Sequence, residues 1–262
     1  MSYLKALKQA KKGLFRSYWR PAKDSKRPPE SPSGPVVRCV CCGSQHLAPS
    51  KILWQALIDE WRLSCEEAAY IDRQQGLRCT SCHTNLRSMA LAQAIMRCFS
   101  YPDLFQDFIK HKSARNLRVL EINEAGNLNR LLSRLPGHRV VSYPEVDMLH
   151  LPFAEASFDL VVHSDTLEHV VDPIRGLEEC RRVLRDDGFC AFTIPIIVDR
   201  PTISRQGLLP SYHGTGETSN SDLLVHTEYG YDAWRQVIQA GFRECRIVSL
   251  EYPAALAIVA VK

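Results

Sequence analysis

The stretch from Val146 to Val170, VDMLHLPFAEASFDLVVHSDTLEHV, narrows the fold more than any other part of the chain. A polar turn leads into the apolar β-type run Leu160-Val161-Val162 and a corner follows at Ser164-Asp165. Apolar residues then return at helical spacing at Leu167, Val170, Val171, Ile174 and Leu177. A buried strand running straight into a helix is half of a βαβ unit, and such units build open α/β sheets. Ligands of those sheets sit beyond the carboxyl ends of the strands, so Ser164 and Asp165 become candidate ligand contacts. The alternative for Asp165 is a cap that satisfies the free N–H groups of the following helix.

The same pattern continues on both sides. Leu117 to Ile122 (LRVLEI) has the unbroken apolar character of a central strand. A helix over 128–135 and a strand from Arg139 to Ser142 come next. The helix after Asp165 runs to Leu184, with Asp186-Asp187-Gly188 expected to close it through Gly188. Phe189 to Ile194 reads as a further strand. Tyr231 to Ala240 is a helix, and Arg246–Leu250 with Ala255–Val261 are two closing strands. Between them, residues 196–226 are long and polar for a connection, as substrate lids are. They contain Arg200 and Arg205, which could hold a carboxylate or phosphate, and His213 and His226, which are candidate bases. For each histidine the competing reading is an ordinary solvent-exposed loop residue.

Upstream, Cys39-x-x-Cys42 and Cys79-x-x-Cys82 form two knuckles. Four thiolates at this spacing can surround Zn²⁺ tetrahedrally, each pair biting the ion from a tight turn, and would leave no open position for catalysis. Cys41, His46 and His83 are lesser candidates, and free buried thiols are the competing reading. Helical pattern at Ile52, Leu53, Ala56, Leu57 and Trp61 lies between the knuckles, and a helix over Asn85–Met96 leads out of the second.

Ten cysteines without a secretory leader point to a reducing compartment, the cytoplasm. No apolar run approaches the ~20 residues of a membrane span. The formal charge of +4 is unevenly spread, because residues 1–30 hold nine Lys/Arg against two Asp/Glu, leaving the rest slightly acidic. Residues 1–20 place Leu4, Leu7, Leu14, Phe15, Tyr18 and Trp19 mostly on one helical side. Such a leader suits peripheral contact with the inner face of an anionic membrane, or nucleic acid, or contacts nothing in particular. Residues 21–35, with five prolines, read as an extended linker.

Asp147-Met148, Leu151-Pro152-Phe153, Ser157-Phe158-Asp159 and Leu167-Glu168-His169-Val170 resemble the core of class I S-adenosylmethionine-dependent methyltransferases of the small-molecule type. Arg182-Val183-Leu184, Gly188-Phe189 and Thr193-Ile194-Pro195 continue the likeness, which spans roughly residues 117 to 262. It implies a Rossmann-like open, mostly parallel sheet with an antiparallel final strand, preceded here by the small four-cysteine zinc segment. It also implies S-adenosylmethionine as cofactor. In the family, the loop after the first strand is acidic-x-Gly-x-Gly-x-Gly. Here Glu121 is kept while Asn123, Ala125 and Asn127 replace the glycines. Asn tolerates positive φ better than other non-glycine residues, Ala does not, and Gly126 can restore freedom one place later. Tyr143-Pro144-Glu145 runs almost directly into Asp147, so the family's third strand and its helix are abridged. Glu145 then takes the ribose role, and Asp147 with Met148 flanks the adenine. Asp159 is structural in the family more often than catalytic. His169 lies near the expected methyl group and is a candidate general base, a packed helix-face histidine being the alternative.

The expected organisation is a basic leader and linker (1–35), a zinc-ribbon-like segment with helices (36–100) and a methyltransferase domain (101–262) with its lid at 196–226. The leading activity is methylation of a small-molecule or saccharide-like acceptor at oxygen or nitrogen. The alternatives are an RNA methyltransferase, against which the slightly acidic remainder argues, and a non-catalytic binding module. Oligomeric state is not read from the sequence.

Overall fold

The computed structural model describes residues 38–212 and 221–262. The leader and linker expected over 1–35, and His213, lie outside the described residues. After the first knuckle come β1 (Leu47–Ala48), α1 (Gln55–Glu60), α2 (Cys65–Gly76) and β2 (Arg78–Cys79), with Leu47 opposite Cys79 in an antiparallel pair. The sequence pattern gives α1 but misses α2. Its start is a capping box: Ser64 Oγ accepts from the Glu67 N–H and Glu67 Oε2 accepts from the Ser64 N–H.

Next is α3 (Leu86–Cys98), capped by Asn85, whose side chain accepts from the Ser88 N–H. Short helices α4 (Phe105–Phe108) and α5 (Lys112–Arg115) lead into β3 (Arg118–Ile122). Then come α6 (Asn129–Leu132), β4 (Gly137–Val141), β5 (Phe158–Ser164), α7 (Pro173–Val183) and β6 (Leu184–Thr193). The chain ends with β7 (Ile196–Ile197), β8 (Ile203–Ser204), β9 (Thr227–Gly230), α8 (Trp234–Gln239), β10 (Glu244–Glu251) and β11 (Ala255–Val261).

Six strands make one sheet in the order β10-β11-β6-β5-β3-β4. The strands β4, β3, β5 and β6 are parallel, and β11 and β10 close the sheet antiparallel. All seven residues of β5 are buried. On one face Leu160 and Val162 join a core with Met89, Leu91 and Ile95 of α3; on the other Val161 packs with Leu177, Val183 and Val237. Residues 142–157 contain no strand or helix, so the sheet stops at β4 and the expected abridgement around the third strand is present.

Some boundaries depart from expectation. The helix expected over 128–135 is a 3-10 turn at Gly126–Leu128 followed by four residues of α6. Gly188 does not close α7, which gives way at Leu184 to extended backbone; it lies inside β6. A Cβ there would come within 2.8 Å of the Arg185 carbonyl oxygen, so close backbone approach explains the residue. Within the expected lid, β7 and β8 flank β9 in a small three-stranded sheet. Arg200 and Arg205 are committed within the protein. Arg200 donates to both Glu67 oxygens and to the Trp61 and Arg62 carbonyls; Arg205 donates to Glu228 and to the Leu209 carbonyl. Through Arg200, and through Tyr70 Oη accepting from the Val198 N–H, α2 fastens the start of this segment.

Candidate active site and thiol cluster

The bend after β3 is built on three residues in the left-handed region: Asn123 at φ 52°, Glu124 at 25° and Gly126 at 55°. Ala125 has an ordinary φ of −72° and is fully buried. The backbone N–H of Asn123 donates to the Val141 carbonyl, and Asn123 Oδ1 accepts from the Tyr143 N–H at 2.9 Å. The side chain that replaces a glycine here therefore ties the bend to the chain leaving β4. Glu121 sits beneath the bend, fully buried. Its carboxylate accepts from the Ala125 N–H, from Asn129 Nδ2 at 3.1 Å and from His138 Nε2 at 2.6 Å. Three donors commit this carboxylate to bracing the loop.

A cavity of about 380 Å³ opens beside this bend at the carboxyl ends of the parallel strands. Ile122, Asn123, Tyr143, Asp147, Met148, Asp165, Thr166, His169, Asp222 and His226 are among the residues lining it. The volume falls within the range of small-ligand sites. Of the cofactor contacts expected from the sequence, Asn123, Asp147, Met148 and Asp165 meet here. Glu121, Ala125, Gly126, Glu145 and Ser164 are not among the lining residues; Glu145 is exposed in the turn after β4, and Ser164 is buried against Thr193 Oγ1 at 2.7 Å. Asp147 Oδ1 accepts from the Leu149 N–H.

Among the histidines, His169 and His226 share the cavity. His169 Nδ1 lies 3.0 Å from the Leu224 carbonyl oxygen, which places the ring proton at Nδ1 in the neutral form. The His226 backbone N–H donates to the Glu168 carbonyl at 2.7 Å. Burial first, and the neighbouring His169 second, hold the His226 imidazole below its ordinary 6.5. Glu168 is buried and its carboxyl is pushed up by desolvation, with His169 and Arg87 pulling the other way. Sequence reasoning missed Arg87. This guanidinium, on α3, is almost wholly buried and donates to Asp165 and to Gln74 Oε1. Asp165 is thus held by an arginine and does not cap a helix; Asp172 caps α7 instead. Asp159 accepts from the Arg118 backbone N–H and pairs with Arg185, a structural role.

The four expected thiols converge, with all Sγ atoms within 4.8 Å of one another. Cys39 lies 3.5 Å from Cys82 and Cys42 lies 3.6 Å from Cys79. Tetrahedral zinc with Zn–S bonds of ≈ 2.3 Å requires sulfur–sulfur edges of roughly 3.8 Å, so the cage has the right size. The two knuckles repeat one turn. Gly43 N–H donates to the Cys39 carbonyl and His83 N–H to the Cys79 carbonyl, with Gly43 and His83 both at positive φ. Burial works against ionising Cys79, but the N–H groups of Cys82 and Ser81 and the adjacent thiols bring it down to about 6. Cys41 is buried in the neighbouring core and is not one of the four; His46 and His83 are not either.

Residues 108–192 match the family model described as a methyltransferase domain. A demethylmenaquinone methyltransferase of Mycobacterium sp. (strain KMS) is 33% identical over 112 residues, 38% of this chain and 49% of the relative. One from Clavibacter sepedonicus is 42% identical over 127 residues, 45% and 51% of the two chains. A malonyl-[acyl-carrier protein] O-methyltransferase of Geobacter sulfurreducens is 38% identical over 68 residues, 26% and 23%. The chain thus spans about half the length of the first two and less of the third. Among solved structures, a SAM-dependent methyltransferase from Thermotoga maritima aligns over 68% of this chain and 90% of its own, at 16% identity and a TM-score of 0.40, a likeness too slight to carry weight. Residues 108–192, which carry most of the four parallel strands β3 to β6, are thus similar to a methyltransferase domain.

Proposed function

We propose that this chain is an S-adenosylmethionine-dependent methyltransferase acting on a small-molecule or saccharide-like acceptor, at oxygen or nitrogen. The observation that supports it most is the cavity beside the β3 bend, which stays open although the family's glycines are gone. Ala125, at one of those positions, packs its methyl group into the core and does not line the cavity. When bound, the cofactor supplies a sulfonium methyl group for in-line displacement, so the protein's work is alignment and removal of one proton. Asp147 would accept from the adenine amine, with Met148 beside the ring; Glu145, expected to meet the ribose hydroxyls, does not line this cavity. His226, kept neutral by burial, would take the acceptor's proton, with His169 as the second base of the pair. The acceptors named for the relatives, demethylmenaquinone and malonyl-[acyl-carrier protein], support a partner other than nucleic acid. We further propose one structural Zn²⁺ on Cys39, Cys42, Cys79 and Cys82. The chain would divide into leader (1–35), thiol clip with its helices (36–100) and catalytic domain (101–262), working in the cytoplasm, where its thiols stay reduced.

Isothermal calorimetry with S-adenosylhomocysteine tests the reading, with binding and thermal stabilisation as the expected result. Asp147→Ala should weaken that binding about ten- to a hundredfold, since a hydrogen bond to a charged group is worth about 1.5–3 kcal/mol, and should leave the midpoint of unfolding unchanged. Absence of both heat and stabilisation in the intact protein would favour a non-catalytic binding module. The His226 resonance in an NMR titration should show a midpoint below 6.5 that moves back toward it in His169→Gln, which removes the second of the two causes. An unmoved midpoint would mean that the two rings are not coupled.

A further inference from the structure

The thiol clip does not hang free of the candidate active site; its second knuckle runs into α3, and the first turn of α3 lies against the cofactor bend. Asn127, at one of the lost glycine positions, donates through Nδ2 to the backbone carbonyl of His83, the residue directly after Cys82. A Cβ on Gly126 would come within 3.0 Å of Ser88 Oγ, so the turn and the loop are in direct apposition. One residue earlier, Arg87 reaches the cavity-lining Asp165 beyond the end of β5. A single helical turn therefore holds a bend at the end of β3 and a side chain at the end of β5.

We propose that the four-thiolate cluster is a positioning device for the cofactor pocket, so that metal occupancy sets the affinity for the adenosyl ligand. The inference rests on the methyltransferase reading. Its physical basis is that a loop with Gly126 as its one glycine depends on outside contacts to hold its tight conformation. Left-handed backbone is costly at Glu124 and less so at Asn123, and the loop is kept there by outside contacts: Glu121 from below, Tyr143 on one side and the His83 carbonyl on the other. The last of these is fixed in space by the knuckle turn, whose geometry a metal ion at Cys79 and Cys82 would lock. Asn127 is on this account a positioning residue, since it touches the clip and does not line the cavity.

The test compares zinc-loaded and chelator-stripped full-length protein, with S-adenosylhomocysteine as the probe. Stripping should weaken binding at least tenfold while circular dichroism shows the sheet and helices retained. Hydrogen exchange over residues 121–128 should quicken at the same time. In zinc-loaded protein, Asn127→Ala should weaken binding three- to tenfold and quicken the same amides, with metal content and unfolding midpoint unchanged. Stripping that variant should then cost less than stripping the wild type, because one link is already cut. Equal affinity with and without zinc, or an Asn127→Ala chain with native affinity and native loop exchange, overturns the proposal. If stripping unfolds the chain, the loaded Asn127→Ala protein decides alone. A loaded wild type that binds no S-adenosylhomocysteine sinks the methyltransferase reading, and the loop exchange then shows separately whether the clip braces the bend.

Discussion

Cys79→Ala is expected to release the proposed zinc ion and lower the midpoint of thermal unfolding by roughly 10–20 °C. Loss of a structural metal belongs to the short list of changes that cost more than about 4 kcal/mol, and in a chain of this size each kcal/mol moves the midpoint by about 2–4 °C. Geometry is the reason, more than the count of cysteines. Cys79 sits in β2, opposite Leu47, so its knuckle is both a candidate ligand pair and part of the antiparallel pairing that ties the two knuckles together. Without a cation, four thiols within 4.8 Å of one another have one acidic member and no positive charge to meet it. Two other cysteines separate ligand loss from cysteine loss. Cys65 is exposed at the start of α2, and Cys65→Ser should change stability by less than about 0.5 kcal/mol. Cys41 is buried in the core beside the cage, so Cys41→Ala should cost packing but keep the ion. Metal analysis with thermal unfolding reads all three. A Cys79→Ala chain with one ion and an unchanged midpoint would show that the cluster is only a group of buried thiols.

How much of the molecule is legible in its sequence depends on whether the cause is local. The strand from Phe158 to Ser164 follows from side-chain pattern alone, and the convergence of the two knuckles from spacing; the helix expected from Leu167 starts only at Pro173, because Leu167–His169 is a 3-10 turn and Val170 is extended. The bend after β3 is legible in its logic: Asn123 and Gly126 take positive φ and Ala125 does not, as their conformational preferences require. The positive φ of Glu124 has no such signal. Helix α2 escapes apolar periodicity because it is a polar helix, although Ser64-x-x-Glu67 announces its start. Gly188 reads as a helix stop because a glycine after a helix and a glycine that admits a carbonyl look alike in sequence. The rest is out of reach for a different reason. Glu121 finds its donors at Asn129 and His138, and Arg87 finds its acceptor at Asp165, 78 residues away. Pairing over that distance is set by the sheet, and only the sheet reveals it.

His163→Phe should make the protein more stable, modestly at neutral pH and by far more in acid. His163 is the next-to-last residue of β5, fully buried, and stacks on Phe192 with ring centroids 4.6 Å apart. Neither ring nitrogen has a hydrogen-bond partner among the described residues. A buried polar group left in that state costs about 1–3 kcal/mol, which phenylalanine, stacking equally well, avoids. Burial also holds the imidazole neutral down to about 3, against an ordinary 6.5. The folded pKa is thus depressed. Above pH 6.5 neither the folded nor the unfolded chain protonates the group, so its pH-dependent penalty is absent. As pH falls from 6.5 toward 3 the unfolded chain takes up a proton that the folded chain refuses, and stability is lost throughout that window. At about 1.36 kcal/mol for each pH unit, the loss reaches about 5 kcal/mol. Urea unfolding between about pH 7 and pH 4 checks this directly: the wild type should weaken steeply over that interval, and His163→Phe should remove most of the slope due to this group. Parallel curves for the two proteins would mean that the ring meets water or a partner and is not sealed in the sheet.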